Sequence, residues 1–169
     1  VDMYRGIIQE GNWTQEGSYL RTKIQQYQMD DVIGNGRIWR LTYEGIPRNT
    51  EKPRMYEETS AELVRHLENP NGWWRDQAQQ LMILNQDKSI VSDLEKMAKI
   101  SKNELARIHA LWTLEGLNSL KVGLVRALLK DPSSKIRIQA LRASETLYKY
   151  GEKSLSADYK EMTKDQDVD

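Results

Sequence analysis

The residues best equipped for chemistry stand together at Trp73-Trp74-Arg75-Asp76, where two aromatic rings, a guanidinium and a carboxylate follow one another. Such a set could stack an extruded nucleotide and stabilise cationic character beside it, as base-excision chemistry demands. Two observations turn the reading toward packing. Trp74, Ala78, Leu81 and Met82 fall at i, i+4, i+7 and i+8, the spacing of one buried helical face. Lys and Arg number 25 against 25 Asp and Glu, so no basic excess is present to displace counterions from phosphates, and nucleic acid is not expected as a partner.

Other chemistries are no better supplied. His66 and His109 are the only histidines, and neither has a second ligand-type residue four positions on, as a helical zinc motif requires. With no Cys there can be no disulfide, thiol nucleophile, cysteine zinc site or C-x-x-C-H haem attachment in this stretch. No Gly-rich phosphate loop or G-x-S-x-G elbow occurs. The sequence therefore assigns no catalytic residue, no metal ligand and no cofactor site, and an enzyme is not expected here. No run of about 18 apolar residues is present either, so direct membrane insertion is not expected.

Arg75, Arg107 and Arg137 invite a reading as an anion-binding ladder, but their phase favours a scaffold. Arg75-x-x-Ala78, Arg107-x-x-Ala110 and Arg137-x-x-Ala140 recur at intervals near 31 residues, each on a helix that follows another amphipathic helix. An Arg at one phase of each repeat can pair with acidic turn residues and pack its stem between repeats.

The elements that carry these residues follow from spacing and caps. First helices are expected over Ser60 to Leu67, Ser89 to Lys99, Lys121 to Lys130 and Ala157 to Thr163, from apolar i, i+3, i+4 patterns. Asn71 should cap the helix that begins near Gly72. Thr59-x-x-Glu62 and Ser101-x-x-Glu104 read as capping boxes, and Gly116 and Gly151 stand where helices should stop. Trp73, Gln77 and Gln80 lie off the apolar stripe and are expected to meet solvent, a neighbouring domain or a partner. Lys164 to Asp169 aligns with the turn Lys130 to Lys135, so the sequence reads as continuing into a fourth second helix.

Residues 1–50 differ in composition, holding six of the ten Gly. Arg37 to Tyr43 alternates in the strand manner between glycines, with Met3 to Gln9 as its expected partner. Leu20, Ile24 and Tyr27 predict a short helix after Ser18. Residues 51–56, with Pro53, read as the connector to a helical region over 57–169. The fold expected is mainly α: a right-handed solenoid of about three and a half helix pairs behind a small β-containing segment.

Helix pairs of this period, with an Arg entering the second helix and turns of the Lys-Asp-Pro type, resemble HEAT-like repeats. Taken in order, Asp2-Met3-Tyr4-Arg5-Gly6-Ile7-Ile8-Gln9, Gly17 to Arg21, Gly36 to Arg40, Asn69 to Asp76 and His109 to Leu117 resemble consecutive motifs of a bacterial family. Its members are large membrane-associated, sorbosone-dehydrogenase-like proteins with a haem-binding domain. The resemblance implies that 1–50 closes a six-bladed propeller and that 57–169 is a spacer before a cytochrome c domain, in the periplasm or cell envelope. It implies no cofactor in this stretch and flanking domains as partners, met through Trp73 with Gln77 and Gln80, or through Trp39. A plain interaction module, binding a peptide or protein on a concave face, is the alternative.

Overall fold

The computed structural model describes residues 1–7, 11, 14–45 and 50–167. It is mainly helical, and among the described residues it contains no strand. The chain divides into two compact units, Val1–Glu51 and Lys52–Asp169.

In the first unit, α1 (Tyr19–Gln26) opens on Ser18, whose Oγ accepts the Arg21 N–H at 3.1 Å. Ile24 turns inward from it and is buried. The strand expected over Arg37 to Tyr43 does not form. Asp2 and Arg37 make one isolated antiparallel bridge, with N–H···O distances of 2.8 and 2.7 Å, and among the described residues no second bridge extends it. Ile8 and Gln9 of the expected partner, and Ile46 to Asn49 before the connector, lie outside the described residues.

The reason is burial. Alternation makes a strand only where one face is covered, and here Ile38 and Leu41 are 87% and 98% exposed, with Trp39 exposed as well. Arg37 is held instead by aromatic rings, its guanidinium 5.4 Å from the Tyr4 ring centre and 5.8 Å from that of Trp39.

The second unit is built from helix pairs. They are α2 (Ser60–His66) with α3 (Gly72–Asn85), α4 (Val91–Ile100) with α5 (Glu104–Gly116), and α6 (Val122–Leu128) with α7 (Ser134–Lys149); α8 (Ser156–Met162) follows. Partners within a pair pack together, and like packs on like: α3 on α5, α5 on α7, α4 on α6.

The second helices share one internal plan. Counted from each helix start, residues 3, 7, 10 and 11 are buried: Trp74, Ala78, Leu81 and Met82; Ala106, Ala110, Thr113 and Leu114; Ile136, Ala140, Ala143 and Ser144. That is the i, i+4, i+7, i+8 stripe of an amphipathic helix seated against a continuous core. The alanine at position 7 is fully buried in all three, so its small volume sets how closely the layers approach.

Caps fix where each helix begins. Thr59 and Glu62 form a reciprocal capping box on α2, and Asn71 Oδ1 accepts the Trp73 N–H at 3.0 Å. Ser101 and Glu104 do not form the second expected box. Asn103 caps α5, taking the Leu105 and Ala106 N–H groups at 3.1 and 3.3 Å, because the helix starts at Glu104 and Ser101 lies two residues ahead of the cap. Glu104 turns instead to Ser133 and Lys135.

Each second helix is followed by a left-handed residue, Gln86 at φ 51° in the case of α3. Gly151, at φ +96°, closes α7 while the Glu152 N–H returns to Leu147 O at 3.0 Å. At α5 the same turn is made by Asn118, at φ 50°, and not by Gly116. Gly116 is the last residue of α5, so the helix does stop there, but without a positive φ; a Cβ on it would stand 2.6 Å from Cδ1 of Ile83, and its absence lets α3 approach.

Candidate functional site

Four turns lead out of the first helices, and all are built alike. Asn69, Ser101, Asp131 and Asp165 each use a side-chain oxygen to accept the N–H two residues on, from Asn71, Asn103, Ser133 and Asp167, at 2.9 to 3.1 Å. The turn at Lys164 therefore has the local geometry of those that launch α3, α5 and α7. Val168 and Asp169 lie outside the described residues.

Arginines reach into these turns from the preceding layer. Arg107, the fourth residue of α5, donates through both terminal nitrogens to the Asp131 carboxylate and through Nε to Ala98 O at 2.8 Å. Arg137, the fourth residue of α7, also makes a bidentate fork, on Asp165, but side-on, with Nε and Nη2 at 2.7 and 2.6 Å. Its Nη1 holds Asp131 O and Pro132 O at 2.9 and 3.1 Å. Bidentate forks of this kind fix orientation as well as distance.

The carboxylates feel the forks. Burial pushes the Asp131 carboxyl up, but hydrogen bonds from Arg107 and from the Ser133 N–H outweigh it, and the group lies below the usual carboxylate range. The Asp165 carboxyl is lowered first by Arg137 and then by the Asp167 N–H.

Arg75 departs from the pattern. Its Nη1 holds Asn69 O and Pro70 O at 2.7 and 3.0 Å, as Arg137 holds the equivalent carbonyls, but the acid position of the next turn is Ser101. Arg75 Nε is buried without a hydrogen-bond partner among the described residues. The Ser101 hydroxyl donates to Glu68 at 2.7 Å. A chain carrying both Glu68→Gln and Ser101→Asp should complete the missing fork. We expect a gain of about 1 kcal/mol over Glu68→Gln alone, read by thermal melting, since partly exposed pairs contribute at most about that much.

A second set of links joins the second helices side by side. His109 Nδ1 meets Gln79 Oε1 at 2.7 Å, Trp112 Nε1 donates to Gln139 at 2.9 Å, and Thr146 donates to Glu115 at 2.6 Å. Desolvation, and then the charge of Arg75, hold His109 below the usual histidine range, while Asp76 pulls weakly the other way. His109 is a linking residue of the stack. His66 likewise pairs with Glu58, at 2.7 Å.

The residues expected to face outward divide. Trp73 is 49% exposed with its ring edge-on to Trp74 at 6.0 Å, and Gln80 is exposed, but Gln77 is half-buried. Gln79 was not singled out by its spacing, yet it is the glutamine that bridges to the next layer. The expectation that the repeat arginines pair with acidic turn residues holds for Arg107 and Arg137, whose partners Asp131 and Asp165 the spacing alone did not name.

Among the described residues no group of three or more His, Cys, Asp or Glu side chains converges on a metal position, and no helix is long and apolar enough to cross a membrane. No family model, curated protein or solved structure matches this chain. Function has to be argued from the arrangement itself.

Proposed function

We propose that this chain is a non-catalytic helical-repeat scaffold, a HEAT-like right-handed solenoid of about three and a half pairs, that holds flanking domains at a fixed separation. The observation that carries the reading is the recurrent fork: Arg107 on Asp131 and Arg137 on Asp165 tie the second pair to the third and the third to the turn after α8 at one repeated position. A solenoid stabilised only by apolar contact can bend between layers, whereas a directional bond at each junction resists it. Resistance to bending is what a spacer needs.

In the redox protein suggested by the sequence resemblance, such a spacer would set the distance between a quinone-bearing propeller and a cytochrome c domain, because electron transfer weakens steeply with separation. The flanking domain would dock on the face carrying Trp73 and Gln80. Two measurements test this on the gene product with its native ends. A reduced-minus-oxidised spectrum should carry a c-type haem signature, and a featureless spectrum would remove the redox role. Trp73→Ala should broaden the distance distribution between spin labels on the solenoid and the flanking domain, while shifting the melting temperature by no more than a few degrees. An unchanged distribution would take the docking face away from Trp73.

The plain interaction module has one observation of its own. Leu105 occupies in α5 the place that Trp73 holds in α3, and it too is half exposed. Two outward apolar residues on successive layers would suit a peptide running across them.

A further inference from the structure

Leu111 and Leu141 are the eighth residues of α5 and α7, yet they are 1% and 40% exposed. The difference is what lies on top. Leu111 sits under α7, which packs on α5. Around Leu141 there is instead a groove of about 330 Å³, lined by Arg137, Ile138, Leu141, Met162 and Asp165 among others. Ile138 in turn is the equivalent of Ile108, which packs against the core from α5.

The parts that deliver α7 onto α5 are repeated at this groove. Arg107 grips Asp131, Asp131 holds the Ser133 N–H, and α7 then begins. One layer on, Arg137 grips Asp165 and Asp165 holds the Asp167 N–H in the same way. The fork and the turn are formed, and among the described residues nothing covers Leu141 on the face they serve as Leu111 is covered.

We propose that the α7/α8 groove is the seat of a further amphipathic helix with the stripe shared by α3, α5 and α7, delivered by the polypeptide beyond Asp169. The occupant contributes apolar contact over Ile138, Leu141 and Met162. It brings no countercharge, because Arg137 and Asp165 already satisfy each other. The internal precedent, in which the chain following an identical turn covers the identical face, favours this source over a second copy or a separate protein.

The inference rests on the repeat reading above but not on the spacer role. The test places a benzophenone amino acid at position 141 of the gene product with native ends, and compares amide exchange of α7 in that product with exchange in the 169-residue chain. The expected result is an intramolecular crosslink to residues beyond Asp169, with the amides of residues 138–148 exchanging at least roughly ten-fold more slowly than in the shorter chain.

A crosslink to a second copy or to another protein, or equal exchange in the two chains, would overturn it. Leu141→Asp guards against misreading. It should leave the melting temperature of the 169-residue chain nearly unchanged and lower that of the native-ended product, and an equal loss in both would also sink the proposal. A product without a haem signature but with the intramolecular crosslink would end the redox role and keep this inference.

Discussion

Replacing Ala110 with Leu should lower the stability of the second unit by about 3 kcal/mol, the upper end of what overpacking a filled core usually costs. Ala110 is fully buried, at the seventh position of the middle second helix, with α3 on one side and α7 on the other. Three added carbons have no vacant volume to enter, so either rotamers are forced off their minima or α5 moves away from α4. Movement would in turn strain the Arg107 fork and the Gln79–His109 bond, which are set from the same helix. For a unit of this size the melting temperature should fall by about 10 °C. Leu105→Ala, a truncation on the outer face of the same helix, should change it by only a degree or two. A small shift for Ala110→Leu would mean that the layers are not in close contact along this stripe.

That stripe was legible from the sequence because local and tertiary signals agree on it. Asn71, Thr59 and the i, i+4, i+7, i+8 pattern from Trp74 all specify a helix with one buried face, and a helix satisfies its own backbone wherever it lies. The segment from Arg37 to Tyr43 failed for the opposite reason. Its alternation is a valid strand pattern, but a strand needs a partner and a covered face, and among the described residues it has only the bridge to Asp2. Ser101 and Gly116 show a subtler limit. Both fit a local rule, yet α5 starts at Glu104, which makes Asn103 its cap, and Asn118 can adopt the left-handed turn, which leaves Gly116 to relieve a contact with Ile83, 33 positions away in the chain. The arginine period was plain in the sequence; its partners were not, because a fork between residues 24 or 28 positions apart depends on how layers stack.

Arg107→Met should cost about 2 kcal/mol, between the small value of an exposed pair and the 3–5 kcal/mol of a fully buried one. The side chains of Arg107 and Asp131 keep 14% and 11% of their exposure, so desolvation is substantial and water is not wholly excluded. Asp131→Asn should cost less, since the amide oxygen can still receive the Ser133 N–H. In the double variant the losses should fall short of additive by about 1 kcal/mol or more, which a thermodynamic cycle measures directly.

The pH dependence has a fixed sign. Asp131 and Asp165 have carboxyls lowered from the ordinary value of 3.8, so the unfolded chain binds protons more readily than the folded one. Their contribution is complete well above pH 3.8 and is lost as pH falls through that value toward the folded pKa. Stability should therefore drop on acidification, and Arg107→Met should flatten the part of that drop due to Asp131. Arg75→Met supplies the contrast. Arg75 donates to two carbonyl groups and among the described residues grips no carboxylate, so its loss should leave the fall in stability through pH 3.8 as steep as before, the only change with pH coming higher, where His109 titrates. If Arg75→Met also flattened the acid limb, Arg75 would be sharing a carboxylate after all, and its difference from Arg107 and Arg137 would vanish.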